Sequence, residues 1–540
     1  MKEQTTSAAK IYERLEIINI LVKRVNALKK QYRQNIAIIG HQSLGKTSLI
    51  FDVLHRCRGP EIIPIYLGIK SNSVDLFAKN FIGVLLFQYL RIDDDSIQDD
   101  LGFLLEQAKE KIPKTIRLIN QILKSLKEPG AQDKIYSDLL ELPQLLYDET
   151  KKPILLILDE FHNLEQLGLK APFIELSNKI MVQKYTMYIL VSSAVFCAEH
   201  ILSKKLSLLF GNFESIRMEP LDNKLAQTFI EQELQTLTSS ANFKNFLVFF
   251  TGGYPFYLKV VLEQIRSLCL DAATKTVTER ILVNSIIQTL YKDHGILNQF
   301  FNDKYKTLLE HNHAQIFTAI LLAIAAGCKK PSRISSRLNK KPAEVNRHLN
   351  KLIQKDIITR RGVFYYINDP LFENWLKFVL SPRQNSFNID ISSAENEFTD
   401  EVKKLLNNFA LESKKEIGER LKELFELFDN DIVELDKKRF MLTHFDHIDI
   451  KDINSATLLN ARRLKKHWLC YIEKKFVDEA LIGQFLDNVK TKDCIKKILI
   501  ALEGIDVNAR LKALEARTWI WDQNTLNELF SLFEKPRFIK

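Results

Sequence analysis

The sequence predicts an α/β protein organised around a parallel sheet, and three observations carry that reading. Gly40, Gly45, Lys46 and Thr47 stand at the spacing of a phosphate-binding loop. Short apolar runs at residues 36–39, 62–68, 154–158 and 188–192 are bounded by polar residues, as buried parallel strands are. Helix-spaced apolar positions separate several of these runs, which is the alternation that builds a parallel sheet with helical crossovers.

The first element follows from Leu15, Ile18, Leu21, Val22, Val25 and Leu28, whose spacing predicts a helix leading into strand 36–39. Between that strand and a helix beginning near residue 47 lies Gly40-His41-Gln42-Ser43-Leu44-Gly45-Lys46-Thr47-Ser48. Glycines let backbone N–H groups close around an anion at a helix N-terminus. A lysine in the place of Lys46 reaches the β/γ-phosphates, and the Thr47 hydroxyl is placed to ligate Mg²⁺. With 17 glycines in 540 residues, chance would produce this pattern about once in a hundred such chains. The expected cofactors are therefore ATP and Mg²⁺.

A strand follows at residues 62–68, then amphipathic, helical stretches over 73–147 that read as an insertion or lid. The run 153–158 is an apolar strand ending in Asp159 and Glu160. Next to a phosphate loop, such acids have defined work: Asp159 holds Mg²⁺ through water, and Glu160 polarises the attacking water as general base. Ser192 and Ser193 end the next strand, where a polar γ-phosphate sensor would stand. From residue 222 to 380 the pattern is mainly helical, and residues 381–393 are the best linker candidate in the chain.

Length and composition bound the rest. A chain of 540 residues suggests roughly three domains, and 46% hydrophobic content is that of a globular protein. The net charge of +10 favours a polyanionic partner where it clusters. The six cysteines form no C-x-x-C pair, and neither His311 with His313 nor His444 with His447 has a further ligand at zinc spacing. No signal core or membrane-length apolar run is present, so no membrane partner and a cytoplasmic location are expected. Phe249, Phe250, Phe300 and Phe301 read as packing residues, and His162 as a capping or packing residue, with contact to phosphate or substrate as the alternative.

Residues 315–370 read as three helices and a hairpin closed around Gly362, which looks like a winged helix-turn-helix. Lys329, Lys330, Arg333, Arg337, Lys340, Lys341, Arg347, Lys351, Lys355, Arg360 and Arg361 cluster here against Glu344 and Asp356. That concentration favours phosphate contact, and Asn346, Arg347 and Asn350 are of the types that read base edges. DNA is the expected partner.

Four motifs in order, Gly-His-Gln-Ser-Leu-Gly-Lys-Thr, Leu-Asp-Glu-Phe, Leu-Val-Ser-Ser-Ala and Thr251-Gly-Gly-Tyr-Pro-Phe-Tyr-Leu258, resemble the archaeal-type ATPases of the STAND branch, related to origin-recognition ATPases. The resemblance covers residues 10–380 and extends to the sequence after the wing. It implies a lid helix opened near the nucleotide by Gly252, Gly253 and Pro255, and ATP-dependent homo-oligomerisation or partner binding. The family usually carries Gly-Arg after the sensor strand, whereas Phe210, Gly211 and Asn212 stand here. Arg217 would then substitute for an arginine acting in trans, or hydrolysis would be slow.

The last block carries an amphipathic helix at 418–428, a strand at 440–450 with Asp446 and Asp449, and a strand at 468–475 ending in Glu473-Lys-Lys475. A helix with Gln484, strand 498–502, helix 507–516, strand 518–521 and a last helix follow. Strand periodicity puts Glu473 and Lys475 on one face. An acid on one strand and E-x-K on the next suit a metal-dependent nuclease, two carboxylates holding Mg²⁺ and the lysine activating water. Over residues 410–535 the block resembles the restriction-endonuclease-like fold of PD-(D/E)xK and Mrr-type domains. By that resemblance Asp449, Glu473 and Lys475 are catalytic, Glu416 is an additional acid and Gln484 lies near the site, although the Asp449–Glu473 gap is long and no proline precedes Asp449.

The expected division is a P-loop ATPase core over 1–221 with its insertion near 73–147, a helical lid over 222–310, a winged helix-turn-helix over 311–381, a linker over 382–397 and a restriction-endonuclease-like domain over 398–540. The expected function is an ATP-gated, metal-dependent DNA nuclease of a prokaryotic defence or mobile-element system. Its rivals are a DNA-binding ATPase with an inactive tail and a signalling switch.

Overall fold

The computed structural model describes residues 14–70, 73–92, 97–206, 213–310, 313–385, 391–435, 438–453, 456–464, 466–488 and 494–536. Residues 210–212, His311 and residues 386–390 of the expected linker lie outside them. The chain divides into two compact units: Met1–Leu221 with Tyr254–Phe256 and Gln354–Asp356, and the remainder to Lys540.

The first unit is a parallel sheet of β1 (Asn35–Ile39), β2 (Ile63–Gly68), β3 (Ile154–Asp159), β4 (Thr186–Ser192) and β5 (Phe213–Arg217), in the order β2-β3-β4-β1-β5. Every residue of β1, β3 and β4 is buried, which is why these segments are continuous apolar runs. Helices α1 (Leu15–Lys29) and α2 (Lys46–Arg56) flank the phosphate-loop strand. Within the stretch 73–147 the described residues are mainly helical, as expected, forming α3 (Val74–Leu90), α4 (Leu101–Ala108), α5 (Pro113–Ser125) and most of α6 (Gln132–Thr150). They are part of the core rather than a lid, because Phe81, Leu85, Ile119 and Leu139 join one apolar cluster with Ile65, Leu156 and Leu190 of the sheet. Helices α7 (Pro172–Val182) and α8 (Val195–His200) complete this part.

The second unit begins with α9 (Asn223–Leu234) and α10 (Ala241–Thr251). Helix α11 (Pro255–Asp271) enters it, followed by α12 (Glu279–Ile286) and α13 (Ile296–Leu309). Next come α14 (Ala314–Ala325), α15 (Pro331–Leu338), α16 (Pro342–Gln354) and an antiparallel hairpin of β6 (Ile358–Arg361) and β7 (Phe364–Ile367). Helix α16 buries Val345, His348, Leu349 and Leu352 and leaves Asn346, Arg347 and Asn350 exposed. Helix α17 (Pro370–Trp375) follows.

The stretch expected as a linker is largely helical, with α18 (Ser381–Asn385) and the 24-residue α19 (Ile391–Lys414). Helix α19 is held by its apolar stripe: Phe398, Val402, Leu406 and Phe409 are buried, and Phe409 stacks 5.2 Å from Phe249. Phe250, Phe300 and Phe301 also sit in ring clusters, as their reading as packing residues requires.

The C-terminal part has α20 (Ile417–Glu426), a separate hairpin of β8 (Asp431–Leu435) and β9 (Lys438–Leu442), and a five-stranded sheet. That sheet runs β10 (His447–Ile453), β11 (Ala456–Arg463), β12 (Lys466–Glu473), β13 (Cys494–Ala501), β14 (Thr518–Asp522), with β11 antiparallel to its neighbours and β12, β13 and β14 parallel. Residues 440–450 are therefore two strands split at residues 443–446, not one. Helices α21 (Glu479–Asn488) and α22 (Val507–Glu515) cover one face, while α20 and α23 (Gln523–Leu532) cover the other. Trp468, Cys470 and Ile472 point into one cluster and Leu469 and Tyr471 into the other. Among the described residues no helix is long and apolar enough to cross a membrane.

Candidate functional site

The phosphate loop connects β1 to α2 at the carboxyl end of the parallel sheet. Gly45 caps α2 with φ +82° and Ser43 has φ +68°, left-handed values that turn the loop back over the helix. A Cβ on Gly40 would lie 2.5 Å from the Met218 carbonyl oxygen, so the strand end has room only for glycine. His41, Gln42, Ser43, Thr47 and Ser48 are at least partly exposed around the loop, while Leu44 is buried beneath it.

Lys46 is 6% exposed, and its ammonium donates to the Gly40 and His41 carbonyl oxygens at 2.7 and 2.8 Å. Burial lowers its pKa, opposed by the charges of Glu160 and Asp159. The lysine is thus held inside the loop with its charge balanced only partly, which suits an incoming polyphosphate.

The sheet order places β4 between β1 and β3, so the acids after β3 and the serines after β4 meet at the loop, where α/β sheets bind ligands. The Thr47 hydroxyl donates to Asp159 Oδ2 at 2.9 Å, which joins the two residues expected at Mg²⁺. Glu160 has φ +56°, a left-handed conformation that costs a non-glycine residue about 1 kcal/mol. Its Oε2 accepts from both Ser193 N–H and Ser193 Oγ at 2.8 Å. The expected base and the expected sensor are therefore in direct contact.

Two further residues enter the site. Tyr66 O–H donates to Asp159 Oδ2 at 2.6 Å, and burial together with that bond raises the phenol's pKa. Tyr66 belongs to no motif; its only signal was a place two residues before Gly68, which lies opposite Asp159 in the strand register. His162, read as capping or packing, bonds Ser192 Oγ through Nδ1 at 2.8 Å and approaches Glu160 Oε2 at 3.4 Å. Burial lowers its pKa, with the Glu160 charge opposing.

Other expected participants have local roles. Gly252 and Gly253 end α10 by donating to the Phe249 and Val248 carbonyls, a helix stop of Schellman type. Pro255 opens α11. Arg217, at the end of β5, is exposed and paired with Glu199 at 3.0 Å and Glu219 at 3.1 Å.

The C-terminal trio is not brought together. Asp449 on β10 lies opposite Asn460, which lies opposite Leu469. Asp449 is consequently two strands and four residues away from Glu473, roughly 16 Å by ordinary strand spacing. It pairs instead with His447 at 2.9 Å and Arg462 at 3.0 Å. Glu473 ends β12 and is 1% exposed; its Oε1 accepts the Lys475 N–H at 3.1 Å and its Oε2 has no partner among the described residues. Lys475 lies beyond the strand, so strand periodicity does not set its side. Glu416 is exposed and bonded to Lys474 at 2.9 Å, and Gln484 faces solvent. Among the described residues no group of three or more His, Cys, Asp or Glu side chains is placed to hold a metal ion.

No protein family description matches the chain, and no curated protein matches it. Solved structures similar to it include a Walker-type ATPase of Pyrococcus abyssi, at 16% identity over 67% of this chain and 97% of that one, with a TM-score of 0.45. The ORC2 protein of Aeropyrum pernix, in its ADPNP–ADP complexes, is 13% identical over 70% of this chain and 96% of its own, with a TM-score of 0.44. The RuvB Holliday junction branch migration motor of Thermotoga maritima is 13% identical over 67% and 95%, with a TM-score of 0.33.

Proposed function

We propose that the chain is an ATP-binding and ATP-hydrolysing protein that binds DNA, and that its C-terminal restriction-endonuclease-like module acts by recognition rather than cleavage. One observation carries the ATPase part: Thr47 on Asp159, and Glu160 on Ser193, at the ends of adjacent strands around the phosphate loop. The donor set suits Mg²⁺, a hydroxyl and a carboxylate oxygen already in contact. Thr47 would bind the ion directly and Asp159 would hold it through water; bound there, Mg²⁺ supplies charge neutralisation on the phosphate oxygens. Lys46 would leave the Gly40 and His41 carbonyls for the phosphates. Glu160, released from Ser193, would orient the attacking water and take its proton. The Glu160–Ser193 contact thus favours a resting site whose base is withheld until nucleotide arrives. Self-association on ATP belongs to the same reading, with Arg217 as the cation to exchange its pairs.

DNA binding rests on the cations of α15 and α16, with exposed Arg333, Arg337, Lys341 and Arg347 on a helix–helix–hairpin module of winged-helix type. The test is ATP turnover with and without duplex DNA at low salt. Stimulated turnover with salt-sensitive binding supports the reading; turnover with no DNA binding moves it to a signalling switch.

A second reading, the metal-dependent nuclease of a defence or mobile-element system, is favoured by the buried Glu473 oxygen that lacks a partner among the described residues. Plasmid nicking in Mn²⁺ that is lost in Lys475→Ala would establish it.

A further inference from the structure

The hairpin after α16, with the Lys329–Lys330 segment beside it (Tyr365 N–H donates to the Lys329 carbonyl at 2.8 Å), would be expected to lie along a nucleic-acid backbone, yet Arg361, Lys329 and Lys330 are already engaged. Lys330 Nζ lies 2.6 Å from Asp431 Oδ1, both side chains being largely covered. Arg361 pairs with Glu528. Lys329 is buried, donates to the Ser531 carbonyl at 3.1 Å and lies 3.7 Å from Glu534. Three carboxylates of the C-terminal module, those of Glu534, Asp431 and Glu528, therefore face these cations.

The contact is more than electrostatic. Val363 N–H donates to the Ile432 carbonyl of β8 at 2.9 Å. Phe364 belongs to the apolar cluster of the C-terminal sheet, with Val363 and Tyr366 packed against it and Phe533 5.5 Å from its ring. Gly362, at φ +68°, is so close to β8 that a Cβ there would meet the Ile432 oxygen at 2.0 Å. A surface fitted this closely, with an apolar centre and a charged rim, has the anatomy of a permanent interface.

We propose that the β6–β7 hairpin, Arg360 excepted, is a socket for the C-terminal module and is withdrawn from nucleic acid, which is met by Arg360 and the exposed cations of α15 and α16. Asn346, Asn350 and Arg360 line one cleft beside the hairpin. Arg360 stays exposed, its guanidinium 5.8 Å over the Tyr365 ring and its Nε on the Gly362 carbonyl at 2.8 Å. Neighbouring Arg347 is exposed on the same helix. The module and the α16 face then move as one piece, so the C-terminal sheet is delivered to a fixed place beside any bound duplex. This inference rests on the DNA-binding reading above.

The test is fluorescence anisotropy of a labelled 30-base-pair duplex titrated with the full chain over a series of salt concentrations. Arg347→Ala with Arg360→Ala is expected to weaken binding about tenfold or more and to lower the slope of log affinity against log salt by about two. Lys330→Gln is expected to keep affinity within about twofold while lowering the melting temperature. Asp431→Asn, which removes the partner and keeps the lysine's charge, is also expected to stay within about twofold. A tenfold loss in folded Lys330→Gln, or a tenfold gain in Asp431→Asn, would show the cations of this covered face reaching DNA and overturn the proposal. Unchanged binding in the double arginine variant would overturn it while leaving DNA binding intact, whereas no binding by the wild-type chain would remove both.

Discussion

Replacing Gly362 with alanine perturbs the hairpin socket at one point. The new Cβ would lie 2.0 Å from the Ile432 oxygen and 2.7 Å from Val433 Cα, far inside contact distance and against backbone that a rotamer change cannot move. The φ of +68° adds about 1 kcal/mol for any L side chain. Relief requires the hairpin to draw back from β8, which forfeits the Val363–Ile432 hydrogen bond, about 1 kcal/mol net. It also loosens Phe364 from its cluster, at about 1–2 kcal/mol. The expected loss is about 3 kcal/mol, confined to the second unit. Intrinsic fluorescence reads that unit selectively, because all four tryptophans, Trp375, Trp468, Trp519 and Trp521, lie in it. Urea unfolding followed by tryptophan emission should shift to lower midpoint, with nucleotide affinity unchanged. A shift worth under about 0.5 kcal/mol would refute the socket's geometry.

Further outcomes follow from the nucleotide site. Lys46→Ala should weaken ATP binding by about 10- to 100-fold, the worth of a charge-assisted contact, measured by fluorescent-nucleotide titration. Tyr66→Phe removes one donor from Asp159 Oδ2 and should raise the Mg²⁺ concentration needed for half-maximal ATP binding several-fold, without changing affinity in chelator. His162 has its pKa lowered from 6.5 by burial, so the unfolded chain binds the extra proton first. Its contribution to stability is therefore full above about pH 6.5 and declines as pH falls through that value. Thermal melts followed by circular dichroism between pH 7.5 and 5 (in steps of roughly half a unit) should show this decline, and His162→Gln should reduce it.

The parallel sheet was legible because burial on both faces leaves continuous apolar runs, as at β1, β3 and β4. The phosphate loop was legible because few other backbones need glycine at those positions. Helix α19 was not: Ser381-Pro-Arg-Gln-Asn reads as linker chemistry, and the stripe of Phe398, Val402, Leu406 and Phe409 that anchors the helix begins only beyond it. Strand β11 was missed because its polar end, Asn460-Ala-Arg-Arg463, hides the period, although Ala456, Leu459 and Ala461 are buried. The Asp449 assignment failed on register, since residue spacing along the chain does not reveal that β11 intervenes. Tyr66 and the carboxylates facing Lys330 and Arg361 were invisible for the same reason: their partners are set by tertiary pairing alone.

The central claim, a P-loop site that hydrolyses ATP with Glu160 as base, is tested most directly by comparing wild type with Glu160→Gln for ATP binding and turnover in Mg²⁺. The account predicts wild-type turnover, a variant that binds ATP within about threefold of wild-type affinity, and a loss of turnover of at least about 100-fold. Equal turnover in the variant, or ATP binding that survives Lys46→Ala undiminished, would contradict it.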